Sequence, residues 1–274
     1  MPAFGLLSSF GKRIIYGISL FGSFCRFCGQ SIGFTFGALT RRRDLKLLVP
    51  QFYQVGAMSV PIVSIVGLFV GMVLAVQAAV QFLSIGLGSY LGSVINLSVV
   101  RELGPVLAGV MLAGRVGGAM TAELGTMKVT EQIDALKSMG VNPVRYLVTP
   151  RFLACLLLTP ILTCYTDIMG LLGGYLISVK VFSVSSNLYW RYSAQSIEAW
   201  DVFCGLSKSV LFGGAISLIG CYKGFTCRPG AEGVGRACTE AFVISFVTIL
   251  TIDFFMAVFL KSLYEAIWGF KSVF

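Results

Sequence analysis

A chain of 274 residues in which 56% of side chains are hydrophobic and only 12% charged has too little polar surface to cover a water-soluble domain of that size. The composition excludes a soluble enzyme and leaves an integral membrane protein. Its spans are helices, because the apolar runs are too long for barrel strands and lack their alternation. The net charge of +9 suggests nucleic acid at first sight, but its distribution along the chain follows membrane orientation instead.

Residues 1–50 form an N-terminal cytoplasmic or interfacial segment, and residues 51–274 a single transmembrane domain. The stretch 4–40 is rich in Phe, Gly, Ser and Ile, yet Lys12, Arg13, Arg26 and Gln30 divide it into pieces shorter than a span. It reads as a helix lying on the cytoplasmic leaflet; the alternative is a sixth span that would hold Arg26 at mid-membrane at a charge cost. The triplet Arg41–Arg43 suits anionic lipid headgroups. No compact apolar core ending in a cleavage site follows the early basic residues, so no cleavable signal is expected.

Five apolar runs follow, at 60–83, 92–122, 152–179, 202–222 and 241–260, each meeting the roughly 20 residues that cross about 30 Å of hydrocarbon. The first carries Gly67, Gly71, Ala75 and Ala79 at four-residue intervals. The second carries Gly109, Ala113 and Gly117 on one stripe and Gly114, Gly118 and Ala122 on another. Such stripes let backbones approach closely in lipid, and packing is their expected role. Pro105 and Pro160 remove helix donors and predict kinks in the second and third spans. Tyr189, Trp190, Tyr192 and Trp200, between the third and fourth, suit an aromatic belt at the interface.

Basic residues divide unequally between the two ends of these runs. Lys12, Arg13, Arg26, Arg41, Arg42, Arg43, Lys46, Lys128, Lys137, Arg145, Arg151, Lys223, Arg228 and Arg236 fall on one side, and Lys180, Arg191, Lys261 and Lys271 on the other. The excess places the N-terminus in the cytoplasm and the C-terminus outside. Eight cysteines are scattered through the chain, with Cys25 and Cys28 in a Cys-x-x-Cys, and there is no histidine. Without histidine or a second ligand-spaced pair, a metal site is disfavoured, and the cysteines are expected to be reduced and buried.

Between the second and third runs stands AELGTMKVTEQIDALKSMGVNP, residues 122–143. Thr130 is placed to cap a short helix with Glu131 in its first turn and Lys137 and Gly140 at its end. Val129, Ile133, Leu136 and Met139 share an apolar stripe, while Lys128, Glu131, Asp134 and Lys137 face elsewhere. An apolar stripe on a charged cytoplasmic helix suits a partner's groove; a helix resting on the membrane surface is the plainer reading. Glu123, Glu131, Gln132 and Asp134 are the expected polar contacts with a partner, and Ile133 and Leu136 the apolar anchors. The 223–238 loop, with Arg228, Glu232 and Arg236, lies on the same side.

Inside the spans, Arg101, Glu102, Lys208 and Asp253 fall at similar depth, roughly 9 to 15 Å below the outer surface at about 1.5 Å per residue. Two bases and two acids in one layer can neutralise one another as a network that only fastens helices. Alternatively they line a cavity for an amphiphile's headgroup, with Arg101 and Lys208 facing phosphate. Asp167 and Arg115 are weaker candidates, the latter placed to snorkel.

RELGPVLAGVMLAGRVGGAMTAELGTMKVTEQIDALKSMGVNPVRYLVTPRFLA, residues 101–154, with PILTCYTDIMGLLGGYL at 160–176, SKSVLF at 207–212 and GAEGVGRACTEAFV at 230–243, resembles the MlaE/YrbE-type permeases. These are membrane subunits of ABC transporters that move lipids with MCE-domain proteins. The resemblance covers roughly residues 60–270. It implies an all-α membrane protein of five transmembrane helices, an N-terminal interfacial helix and a cytoplasmic coupling helix, working as a homodimer in the bacterial inner membrane. It further implies a lipid cavity open to the outside, coupling of residues 123–143 to a cytoplasmic ABC ATPase, an external MCE-domain carrier, and a lipid cargo, phospholipid above all. The chain has no G-x-x-x-x-G-K-[ST] loop, so ATP is expected to be used by the separate subunit and no cofactor to be bound here. The rivals are an ion-coupled secondary transporter using Asp167, Asp253 and Glu102, and an intramembrane lipid enzyme, which the lack of histidine disfavours.

Overall fold

The structure, a computed structural model, describes residues 2–38 and 47–269. Arg41, Arg42, Arg43, Lys46 and Lys271, with the side chains of Lys12 and Arg13, lie outside what is described. Among the described residues there is no strand, and five helical spans run Leu48–Ser84, Gly88–Val129, Val144–Lys180, Ala199–Phe225 and Ala231–Trp268. The second is 42 residues long, about 63 Å at 1.5 Å per residue, so helix continues well past any hydrocarbon layer. Its extra turns carry Glu123 and Lys128, as those at the start of the third span carry Arg145 and Arg151, and this charge keeps hydropathy from detecting them as span. Spans one, three and five start, and two and four finish, at one end of the bundle, here the basic end.

The third span is the core of the bundle: 67% of its most apolar stretch is buried, against 17% for the fifth. Small residues put it there. A Cβ on Gly71 would stand 1.9 Å from the Gly170 carbonyl oxygen, and one on Gly173 2.1 Å from that of Leu68, so the first and third spans touch backbone to backbone. On the opposite face, a Cβ on Gly213 of the fourth span would meet the Cys155 carbonyl oxygen at 2.6 Å. Between helices in lipid there is little hydrophobic gain, so this closeness and its dispersion contacts provide the adhesion. Phe212, Leu112, Ile216 and Ile249 fill the centre of the bundle.

The two prolines behave differently. Pro105 is met by a π-helical turn, Val99–Leu103, just before the α-helix Gly104–Leu112, and a second π turn, Ala113–Gly117, follows. The wider turn absorbs the donor that Pro105 lacks. Pro160 sits inside the uninterrupted helix Thr149–Lys180. At the far end, the helix Ser186–Ser196 corrects the aromatic-belt expectation for Tyr189, which is wholly buried. Its hydroxyl donates to Asn96 Oδ1 at 3.0 Å. Trp190 remains 42% exposed.

The N-terminal helix Pro2–Ala38 is continuous for 37 residues. It is not among the five helices long and apolar enough to span. It attaches to the basic end of the fourth span, with Phe24 and Phe27 edge-on to Tyr222 at 5.2 and 5.5 Å between ring centres. Arg26 is exposed.

Candidate functional site

Lys208 lies in the middle of the fourth span, and its side chain is 1% exposed. Its Nζ donates to Glu102 Oε2 of the second span at 2.5 Å. Asp253 Oδ1 of the fifth span stands 3.0 Å from the same nitrogen without accepting an aligned hydrogen bond. One cation therefore ties three spans together. An ammonium this far from water is tolerated because two carboxylates replace its hydration.

The remaining member of the expected layer turns aside. Arg101 Nη1 lies 3.7 Å from Asp201 Oδ1, with the arginine side chain 40% exposed and the aspartate 9%. Asp201 also accepts from the Glu198 backbone N–H at 3.0 Å, so it caps the fourth span while facing Arg101. Sequence reasoning missed it because an acid in a first helical turn looks like a cap. Its seven-residue spacing from Lys208, two helical turns on one face, was the available signal. Arg101 and Glu102 are neighbours on the π turn, both with open side chains, at 40% and 43% exposure. Charges at this depth do not face hydrocarbon, so this side of the second span borders water or another polar surface.

Asp167 is apart from these pairs. A Cβ on Gly104 would fall 1.6 Å from Asp167 Oδ1, so the carboxyl fills the notch that Gly104 leaves beside the π turn, and that oxygen has no described partner. Arg115 does not snorkel. Its Nη1 donates to Ser59 Oγ at 2.5 Å and to the Gln54 carbonyl oxygen at 3.3 Å, pinning the second span to the first.

At the basic end the short helix is Gln132–Ser138. Thr130 does not start it: Thr130 ends the preceding helix, and its hydroxyl bonds back to the Thr126 carbonyl oxygen at 2.8 Å. Glu131 stands between the two helices in the left-handed conformation, φ 61°, a geometry costing a non-glycine residue about 1 kcal/mol or more. The apolar stripe turns inward. Ile133 is 1% exposed and packs with Leu124, Leu147 and Val148, and Leu136 rests against the same cluster. The stripe therefore fastens the helix to its own chain, and these two side chains are not presented as anchors for a partner.

Glu123 is also engaged internally, accepting from Gln54 Nε2 at 2.6 Å and Arg151 Nη2 at 3.0 Å, a junction of the first three spans. Asp134 holds Lys128 at 2.7 Å and Lys137 at 2.8 Å, and those two donors keep its carboxyl down at about 2. Glu131 and Gln132 are exposed on the hairpin, as are Lys137 and, at 68%, Met139. At the same end of the fourth and fifth spans, Glu240 takes both Lys223 at 2.9 Å and Arg236 at 3.0 Å. All eight cysteines are free, and no group of metal-ligating side chains occurs among the described residues.

Residues 48–259 match the family described as Permease MlaE. A "Probable ABC transporter permease protein" of Rickettsia conorii is 40% identical over 247 residues, 90% of this chain and 94% of that protein. Another from Synechocystis is 42% identical over 221 residues, 81% and 82% of the two chains. The "Intermembrane phospholipid transport system permease protein MlaE" of Haemophilus influenzae is 35% identical over 255 residues, 91% and 95% of the two chains. With five spans and an intramembrane ion-pair layer, and with the family's match over most of its length, this chain belongs to the MlaE permease family.

Proposed function

We propose that the chain is the membrane-spanning subunit of an ATP-driven transporter that moves phospholipid between the inner membrane and the cell envelope. The observation that carries this reading is the open pair Arg101 and Glu102 beside the Lys208 junction, an exposed polar site within the membrane-spanning helices. A lipid headgroup is the amphiphile such a site suits, since its tails remain among apolar side chains. The Haemophilus relative is named for phospholipid transport, which supports the same cargo.

ATP is hydrolysed by a separate cytoplasmic subunit, and two copies of this chain meet across the outward faces of the first and fifth spans. The N-terminus is cytoplasmic and an MCE-domain carrier receives or delivers lipid at the far end. The ATPase contacts Glu131 and Gln132, the exposed tip of the hairpin, and strain at Glu131 keeps that tip poised for contact. The chain itself binds no cofactor and performs no covalent chemistry. It changes the shape of the lipid site when the hairpin moves.

The test is mass spectrometry of the detergent-purified assembly, which should contain an ABC ATPase, an MCE-domain protein and phospholipid. Glu131→Lys combined with Gln132→Arg should release the ATPase while the spans remain folded. Ile133→Asp should instead lower the yield of folded chain, because it buries a carboxylate among Leu124, Leu147 and Val148. Full ATPase retention in the double variant would refute the contact. An assembly free of both ATPase and lipid would refute the function.

A further inference from the structure

Arg115 carries a positive charge that no carboxylate among the described residues answers. It stands on the π turn Ala113–Gly117, about 21 Å along the second span from Arg101 at 1.5 Å per residue, and so is separate from the charged layer. Its Nη1 is held by two neutral groups, Ser59 Oγ at 2.5 Å and the Gln54 carbonyl oxygen at 3.3 Å. Nε and Nη2 have no partner among the described residues and are not enclosed. Glu123, the acid closest along the helix, is already engaged: Oε1 accepts from Gln54 Nε2 at 2.6 Å and Oε2 from Arg151 Nη2 at 3.0 Å, so Arg151 matches its charge. Beside Arg115, Gln54 and Glu123 opens a cavity of about 220 Å³ whose remaining lining is apolar, with Met58, Val116, Ala119 and Met120 in its walls. Ser59 gives its level in the membrane, one residue before the first apolar run begins at residue 60. An unpaired cation at the boundary between hydrocarbon and headgroups, next to an apolar hollow, draws in an oxyanion that carries an apolar chain.

Resting on the reading of the chain as a lipid permease with its basic end in the cytoplasm, we propose that this hollow is a second lipid site, which takes a net-anionic phospholipid of the cytoplasmic leaflet by its phosphate. Nε and Nη2 of Arg115 donate to the phosphate oxygens, the planar fork that suits a guanidinium to phosphate. The first carbons of the acyl chains lie against Met58, Val116 and Met120. A net-anionic lipid cancels the single surplus charge, whereas a zwitterion leaves it standing. The bonds of Nη1 to Ser59 and Gln54 then have a second consequence: they hold the guanidinium at the mouth of the cavity, so the fork is aimed before lipid arrives.

The experiment uses the complete complex, full-length chain with its partner subunits, in nanodiscs of equal phosphatidylglycerol and phosphatidylcholine. Mass spectrometry counts the lipids retained after detergent extraction. Arg115→Gln should cut the retained ratio of phosphatidylglycerol to phosphatidylcholine about fivefold relative to wild type, which corresponds to about 1 kcal/mol for one basic side chain at an anionic surface. Arg115→Lys keeps the charge and should keep most of the ratio. Because Arg115 also pins the first span, Ala119→Trp is the independent arm: it fills the hollow without touching the bonds to Ser59 and Gln54, and should lower the ratio as far as Arg115→Gln does. Extraction in excess inorganic phosphate, against chloride at the same ionic strength, distinguishes a lipid from a free anion. Loss of the wild-type preference in phosphate alone would show that the site takes the free ion and would overturn the lipid assignment. A ratio unchanged in both Arg115→Gln and Ala119→Trp would overturn this inference and leave the permease reading intact, since that reading requires bound lipid at the charged layer only. A wild-type complex that retains no lipid at all would overturn both.

Discussion

Replacing Lys208 with methionine keeps the length of the side chain and removes its charge. The ammonium is 1% exposed and stands 2.5 Å from Glu102 and 3.0 Å from Asp253, so its loss leaves two carboxylates without a counter-ion. Breaking a buried pair by removing one partner costs about 3 to 5 kcal/mol. Glu102 is 43% exposed and regains water, whereas Asp253 is 20% exposed and does not. The lower end therefore applies, about 3 kcal/mol, roughly a hundredfold shift in the folding equilibrium. The readouts are the yield of monodisperse complex and the midpoint of thermal inactivation in detergent. Lys208→Met should lower both, and adding Asp253→Asn should restore most of the loss. Arg101→Met is the contrast: its partner is 3.7 Å away and its side chain 40% exposed, so about 1 kcal/mol or less is at stake. That variant should assemble normally and lose bound lipid. Wild-type yield and midpoint for Lys208→Met would refute the assignment of Lys208 as the keystone of the layer.

Two further outcomes follow from packing and charge. Gly71→Ala should abolish accumulation of folded chain, since its methyl would press on the Gly170 backbone at 1.9 Å, whereas Gly118→Ala meets nothing within 4 Å and should be silent; expression monitored by fluorescence-detected chromatography separates the two. Asp134 has a folded-state pKa of about 2 because Lys128 and then Lys137 donate to it. Its contribution is complete above the ordinary carboxylate value near 3.9 and disappears as pH falls through about 2. Asp134→Asn should therefore change hairpin protection in hydrogen exchange equally at pH 5 and pH 8, and a difference appearing only above pH 6 would contradict the pairing.

Hydropathy alone locates the five spans, because a run of apolar residues has few other uses at that length. The ion-pair layer is visible for a related reason: Glu102, Lys208 and Asp253 interrupt such runs, and charges there persist only in company. What periodicity does not carry is direction. Val129, Ile133, Leu136 and Met139 read correctly as one stripe, but a stripe does not say whose surface it meets, and Ile133 meets its own chain. Tyr189 reads as interfacial because tyrosine is amphipathic, yet Gly92 and Gly174 leave the space that admits its ring to the interior. Glu123 looks like an outward acid until Arg151, 28 residues later, folds back on it. Each miss is a contact between positions distant in sequence, which local pattern does not encode.

The paired π turns of the second span give it slack. A π turn holds one residue more than the α turn it replaces, so Val99–Leu103 and Ala113–Gly117 are two surplus residues stored in one continuous rod. Sliding such a surplus along the rod turns each residue it passes by about 100°, one step of the helical screw, with the ends of the span staying where their neighbours hold them. Arg101 and Glu102 ride on one surplus and Arg115 on the other. A small register slip within the span would re-aim Arg101, Glu102 and Arg115 without separating the helices, the first, third and fourth spans remaining a fixed frame.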